Sequence, residues 1–274
     1  MLSFSLDILP LKNLNPVEKQ VDSRVEEIRR DFQKTGRLIN PLIVTPAGGD
    51  KFLLLSGVNQ FYALKREHLE DVVVQVIDDS TPLLRLDVWQ YLLRNFRPEY
   101  LYYLAESMDL KSANQSHSFF YDKNRKRICC RFADGGRVCF YSDAEKLIER
   151  IRGFNDLIES CQRFSSNLRL IPDQLILQQG GGLRADEIIL EPPQLTLPEL
   201  KSLVAGGLVF PRNYFNITFE NLIVGLNFPL TVLKSEAGRA EKTAFLKDLI
   251  RLRLQSDKSA VYGGRVYFLG DSPR

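Results

Sequence analysis

The sequence predicts an α+β protein: a small α/β domain over residues 1–81, followed by an α+β region over 82–274. Three observations predict it. Up to Asp78, short apolar runs alternate with stretches of helical spacing, the pattern of strands and helices taking turns. From Pro82 to Met108 the chain reads as a helical connector, and over 118–141 strict alternation returns around the hairpin turn Asp134-Gly135-Gly136. Asp143 to Phe164 is then a long amphipathic stretch with Leu147, Ile148, Ile151, Phe154, Leu157 and Ile158 on one side.

Taken in order, Phe4–Leu9 alternates as a strand and is followed by a loop through Pro10, Asn13, Asn15 and Pro16. Ser23 with Glu26 three residues on has the form of a capping box, opening a helix whose face carries Val25, Ile28, Arg29 and Phe32 and which Gly36 ends. Leu42-Ile43-Val44 and Phe52-Leu53-Leu54-Leu55 are strands joined across Pro46-Ala47-Gly48-Gly49-Asp50, and Val72–Ile77 is a β-branched strand. The connector divides into two helices at Arg97-Pro98. Strands are expected over 168–178 and 188–190, separated by Gly180-Gly181-Gly182, a loop without the Lys-Ser/Thr that a phosphate-binding P-loop requires. Thr196 and Glu199 form a second capping box, and strands over 207–217 and 222–228, a helix over 240–254 and a strand over 261–269 complete the chain.

Composition narrows the function classes. With 274 residues, 44% hydrophobic, 26% charged and net charge +3, the chain is ordinary globular material. The basic cluster Lys123, Arg125, Lys126, Arg127 and Arg131 reads as a solvated hairpin edge, too narrow for a nucleic-acid footprint. No apolar run reaches the roughly 18 residues that span a bilayer, and no basic region precedes the N-terminal apolar residues, so a cytoplasmic protein is expected. Cys129, Cys130, Cys139 and Cys161 contain no Cys-x-x-Cys pair, and His68 and His117 lie far apart, which offers neither a metal-ligand set nor a Cys-His nucleophile. Cys130 and Cys139 flank the hairpin and could face each other, but in a reducing compartment they are expected as small buried hydrophobes.

The chemistry centres on Ser56-Gly57-Val58-Asn59-Gln60. A buried strand turning at a glycine into a helix aims N–H groups without internal partners, together with the positive end of the helix dipole, at one point suited to a phosphate or carboxylate. A plain tight turn is the competing reading.

The pattern Leu14-Asn15-Pro16-x-Glu18, then Gly36-x-Leu38-x-Asn40-Pro41-Leu42-Ile43-Val44, Leu55-Ser56-Gly57 and Ala63-Leu64-Lys65 resembles the ParB/sulfiredoxin superfamily. Downstream, Thr196-x-x-Glu199-Leu200, Gly207-Leu208-Val209-Phe210-Pro211 and Leu226-Asn227-x-Pro229-Leu230 resemble its free-serine kinase branch, the siderophore-pathway kinases included. The resemblance implies a ParB/sulfiredoxin-like N-terminal domain with an α+β C-terminal region packed against it. It also implies Glu18 as the carboxylate drawing the proton from a serine hydroxyl, ATP or ADP with Mg as phosphate donor, and Phe210, Pro211, Arg212 and Asn216 as amino-acid-binding residues.

Where such kinases carry Asp-Gly-His-His-Arg, and partition proteins Gly-Glu-Arg-Arg, this chain has Ser56-Gly57-Val58-Asn59-Gln60, and a Thr-Arg-His run is replaced around Arg212-Asn213-Tyr214. Neutral amides grip phosphate about half as strongly per bond as guanidinium does. Two readings therefore stand: a divergent nucleotide-dependent kinase of a free hydroxy amino acid such as L-serine, with Arg212 or Lys65 substituting for the lost cations, or a catalytically silent module that binds a nucleotide, another small ligand or a protein partner. A DNA-binding role is the weaker third.

Overall fold

The computed structural model describes residues 5–78, 84–114, 126–164, 169–171, 183–255, 260–262 and 266–268. Lys123, Arg125, His117 and Gly180–Gly182, singled out above, lie outside them. The chain forms two compact units, one of Met1–Arg85 with Thr218–Arg274 and one of Leu86–Ile217. The sequence-based boundary at 81/82 thus falls near the first crossing, whereas the segment from Thr218 onward returns to the first unit instead of staying with the second.

The first unit opens with β1 (Ser5–Pro10), a 3-10 turn (Leu11–Asn13), β2 (Leu14–Pro16), α1 (Asp22–Thr35), β3 (Arg37–Leu38), β4 (Leu42–Gly48), β5 (Lys51–Ser56), α2 (Val58–Arg66) and β6 (Asp71–Val76). Five strands make one sheet in the order β1-β6-β4-β5-β2. β4–β6 and β2–β5 are parallel. Parallel neighbours need crossovers, which α1 and α2 supply. Leu42–Thr45 and Asp71–Gln75 are buried, so both strands read as apolar runs rather than alternating ones. α1 starts one residue before Ser23, with Val21 as N-cap and no side-chain cap. The Ser23–Glu26 box does not form because Ser23 lies inside the helix instead of at its N-cap, and the Glu26 carboxylate is bonded to Arg29 at 3.1 Å and to Arg66.

The second unit contains β8 (Gln90–Arg94), reached through β7 (Leu84–Val88), then α3 (Pro98–Ser107), β9 (Lys111–Asn114), β10 (Ile128–Arg131), β11 (Arg137–Tyr141), α4 (Leu147–Phe164), β12 (Arg169–Ile171), β13 (Glu187–Glu191), α5 (Leu197–Ala205) and β14 (Phe215–Phe219). The six-stranded order is β12-β8-β13-β10-β11-β9. The first expected connector helix is instead β7 and β8. Tyr91, Leu92 and Leu93 are consecutive and buried, with β12 and β13 pairing on either side, which a one-faced helix cannot offer. The second connector helix is α3, with Pro98 in its first turn. The Thr196–Glu199 capping box forms in full at the start of α5. Cys139 is disulfide-bonded to Cys129, not matched with Cys130. Antiparallel register sets Cys129 directly opposite Cys139, while Cys130 lies opposite Val138 and so faces the other side of the sheet. On that side burial drives the Cys130 thiol well up, with Cys161 nearby adding to it, and burial pushes the Cys161 thiol to about 12, so neither is a thiolate nucleophile.

The returning segment, β15 (Leu222–Val224), β16 (Phe228–Pro229), α6 (Leu230–Lys234), α7 (Arg239–Gln255), β17 (Ala260–Tyr262) and β18 (Val266–Phe268), completes the first unit. Ile223, Leu226, Phe228, Leu230, Leu233 and Leu246 join one buried cluster with Leu38, Leu42, Val72 and Leu64. Two buried polar groups weld it on. The Gln75 amide donates to Asn221 O (2.7 Å) and accepts from Ile223 N–H (3.0 Å). Lys242, 6% exposed, donates to Asp71 (3.1 Å) and to Leu233 O (3.0 Å), with Arg239 also on Asp71 at 3.2 Å. Removing one partner of a buried pair leaves the other charge uncompensated. Lys242→Met is therefore expected to lower unfolding free energy by about 3 kcal/mol, read by urea denaturation, and Lys242→Met with Asp71→Leu to recover part of it.

Candidate phosphate-binding site

The site grows from the end of β5. Its apolar run ends at Ser56, and Gly57 takes a left-handed conformation (φ 93°, ψ 23°) as N-cap of α2. Two constraints demand glycine there. The positive φ strains any L side chain, and a Cβ would stand 3.0 Å from both Leu42 Cγ and Gln60 Oε1. The first helical bond runs from Phe61 N–H to Gly57 O (2.8 Å), so the N–H groups of Val58, Asn59 and Gln60 have no partner within the helix. No acidic residue lies in this first turn to compete for them.

The corner opens onto a cavity of about 350 Å³. Gly57, Val58, Asn59 and Gln60 line one side. The other is the α1 stripe Arg24, Ile28, Asp31 and Thr35, spaced by four, three and four residues, with Arg37, Ile39 and Asn40 from the β3 region. Arg24, Asp31 and Arg37 were not singled out in the sequence. For Arg24 and Asp31 the available signal is their helical spacing with Ile28 on α1; for Arg37, in β3, no local spacing offers one.

Side-chain bonds hold these walls. Asn59 Oδ1 accepts from Val21 N–H (2.8 Å), tying the Val17–Val21 loop to the start of α2. Asn40 Oδ1 accepts from Gly225 N–H (2.8 Å). Arg66 pairs with Asp22 (2.7 Å) and Glu26, binding α2 to α1. Glu67 accepts from Arg29 (3.3 Å) and from Lys234 (3.2 Å). Burial alone would raise the Glu67 carboxyl, but Lys234 and Arg29 outweigh it and hold it below its ordinary value.

Of the residues expected at the site, the structure gathers Gly57, Val58, Asn59 and Gln60 around this cavity, with Ser56 adjoining them. Glu18 is half-buried in the loop that Asn59 tethers and is not among the lining residues. Lys65 stands over the Phe61 and Tyr62 rings, 5.4 and 5.9 Å from their centroids. Phe210, Pro211, Arg212 and Asn216 belong to the second unit. There Phe210 is fully buried against Tyr214 and Phe215, so its side chain is core, while Arg212 is exposed and its carbonyl accepts from Gln162 (3.1 Å).

No family model matches the sequence, and no curated protein matches it. Among solved structures, the chain superposes on SbnI with a C-terminal truncation from Staphylococcus aureus at TM-score 0.74 and 15% identity, over 91% of this chain and 97% of that one. A free serine kinase in complex with AMP gives 0.67 at 12% identity, over 83% and 93%. The fold is that of SbnI and the free serine kinases. A conserved hypothetical protein from Pyrococcus furiosus shares it at TM-score 0.60 and 12% identity, over 84% and 97%. The fold that the resemblance implies is thus the one these solved structures share.

Two outcomes follow for the corner. Gly57→Ala should cost about 1–3 kcal/mol from the left-handed φ and the Leu42 contact, seen as a lower thermal midpoint. Glu67 has a depressed folded pKa, so its stabilisation is present above the ordinary carboxyl value and is lost as pH falls through the lower folded value. Glu67→Gln should thus cost about 1 kcal/mol at neutral pH and progressively less in acid, measured by denaturation across pH.

Proposed function

We propose that the chain is a divergent nucleotide-dependent phosphotransferase acting on a free hydroxy amino acid such as L-serine, working in the cytoplasm. The carrying observation is that the Gly57 corner opens onto a cavity whose lining includes two arginines from outside the turn, Arg24 and Arg37. The neutral Asn59 and Gln60 leave the turn short of charge, and the two arginines offset it from α1 and β3. The N–H groups of Val58, Asn59 and Gln60 and these two arginines would hold the phosphates of ATP or ADP. Asp31 offers an oxygen ligand of the kind Mg prefers. Bound Mg would neutralise charge on the phosphates. Glu18, on the loop that Asn59 tethers, would take the proton of the acceptor hydroxyl. The AMP and ADP complexes of free serine kinases sharing the fold support the nucleotide part of this reading.

A second reading, nucleotide binding without turnover, is favoured by one observation: the Asn59 carbonyl is committed to Val21 N–H and Lys65 to aromatic rings, so α2 itself turns no cation toward the phosphates. One set of measurements separates the two. Incubation with ATP or ADP, Mg and serine should yield phosphoserine by phosphorus NMR, and Glu18→Gln should lower the rate by about 100-fold or more while leaving nucleotide affinity unchanged. Arg24→Gln with Arg37→Gln should weaken nucleotide binding roughly tenfold or more in calorimetry. Nucleotide binding with no phosphoserine above the Glu18→Gln background overturns the kinase in favour of the silent module, and absence of nucleotide binding overturns both.

A further inference from the structure

The disulfide of the second unit joins two residues that form a small buried cluster of their own, Cys129 and Cys139. Register explains why. Side chains of a strand alternate between faces, so Cys129 and its opposite numbers Cys139 and Glu191 share one side of the six-stranded sheet with Arg131 and Arg137. Cys130 turns to the other side with Val138 and Leu190. The first side is the floor of a cavity of about 490 Å³. Cys129, Arg131, Arg137 and Glu191 all line it, whereas Cys139, one strand further on, is not among the described lining residues. The two halves of one cystine thus differ in position: one borders the cavity and the other lies beyond it. The ladder around them does not depend on the link. β10 is paired by β13 and β11, and β11 by β10 and β9, so both cysteines sit on inner strands that backbone bonds hold from either side.

We propose that Cys129 is a site of reversible exchange with a low-molecular-weight thiol that enters this cavity. Attack on a disulfide selects the sulfur that a thiolate can reach. A small thiolate attacks Cys129 Sγ from the cavity, and the bond to Cys139 breaks as the new S–S bond forms. Cys139 leaves with the electron pair and takes up the proton that the incoming thiol gave up. One disulfide and one thiol thus become a mixed disulfide and another thiol, and no external oxidant is needed. Because the ladder keeps Cys139 opposite Cys129, its thiolate attacks Cys129 Sγ in turn, expels the small thiol and recloses the link. The cavity has the volume of a small-molecule site. Glu191 bonds both Arg131 and Arg137, so recognition rests on the sulfur and calls for no free cation. The exchange involves only residues of Leu86–Ile217 and is independent of the Gly57 reading.

The test incubates the full chain, purified without reductant, with glutathione, traps thiols with N-ethylmaleimide and maps the peptides by mass spectrometry without reduction. Glutathione should be found on Cys129 and maleimide on Cys139. Cys130 and Cys161, both free and buried, should stay unmodified until the chain is denatured. Single variants read the asymmetry separately. The thiol that Cys139→Ser leaves at Cys129 should react with Ellman's reagent roughly tenfold or more faster than the thiol that Cys129→Ser leaves at Cys139, with circular dichroism unchanged. The mapping needs no substitution, so it decides the matter even where a variant fails to fold. Four free thiols before glutathione is added, glutathione on Cys139 in place of Cys129, a link that resists glutathione until the chain unfolds, or equal rates in the two folded variants would overturn the inference.

Discussion

The left-handed turn at Gly57 is the constraint on which the first unit's architecture depends. β5 pairs with β4 on one side and β2 on the other, and the chain must leave the sheet at once to cover it with α2. Any side chain at that point would meet Leu42 as well as a backbone angle it resists. Leu42 begins β4, the strand flanked by β5 and β6, so the same contact that excludes a Cβ also fixes where the helix lands. The corner with its unpaired N–H groups is thus a by-product of packing a helix tightly against the middle of the sheet.

Charge around that corner is arranged in two layers. Arg66, Arg29 and Lys234 are spent on Asp22, Glu26 and Glu67, which joins α1, α2 and α6. These pairs are partly exposed and individually worth little, but they form a network that sets the spacing between the walls. Arg24 and Arg37 face the cavity itself. Arg24 reaches Glu27 at 2.6 Å across an exposed turn of α1, an interaction a bound phosphate could exchange for a stronger one at small cost.

The elements that are plain in the sequence are those whose signals are local. Doubly buried strands read as apolar runs, glycine marks the turn, and the Thr196–Glu199 box is written within four residues. The sequence misled where the deciding contact is distant. Leu86 to Leu93 has spacing compatible with a helix, and only pairing to Arg169–Ile171 and Glu187–Leu190 makes it a strand. Ser23 and Glu26 satisfy a capping pattern, yet Arg66 on another helix takes the glutamate. Of the cavity, the glycine corner was legible and the far wall was not. Arg24 and Asp31 reach the cavity through the packing of α1 against α2, and Arg37 through the pairing of β3 with β16, a contact that no short window of residues records.

The return of the chain after Thr218 bears directly on that far wall. β3 is two residues long and cannot hold its place alone. It pairs with β16, Leu38 opposite Phe228 and Arg37 opposite Pro229. Leu230 N–H bonds Gly36 O (2.8 Å), Asn227 N–H bonds Ile39 O (3.0 Å) and Gly225 N–H bonds Asn40 (2.8 Å). Every residue from Gly36 to Asn40 is therefore positioned by a segment 185 residues or more away. Phe228 and Leu230, buried in the same cluster as Leu38 and Leu42, anchor that segment. The placement of Arg37 at the cavity is consequently a tertiary property of the completed first unit, set by the Gly225–Leu230 segment and not by its own sequence neighbours.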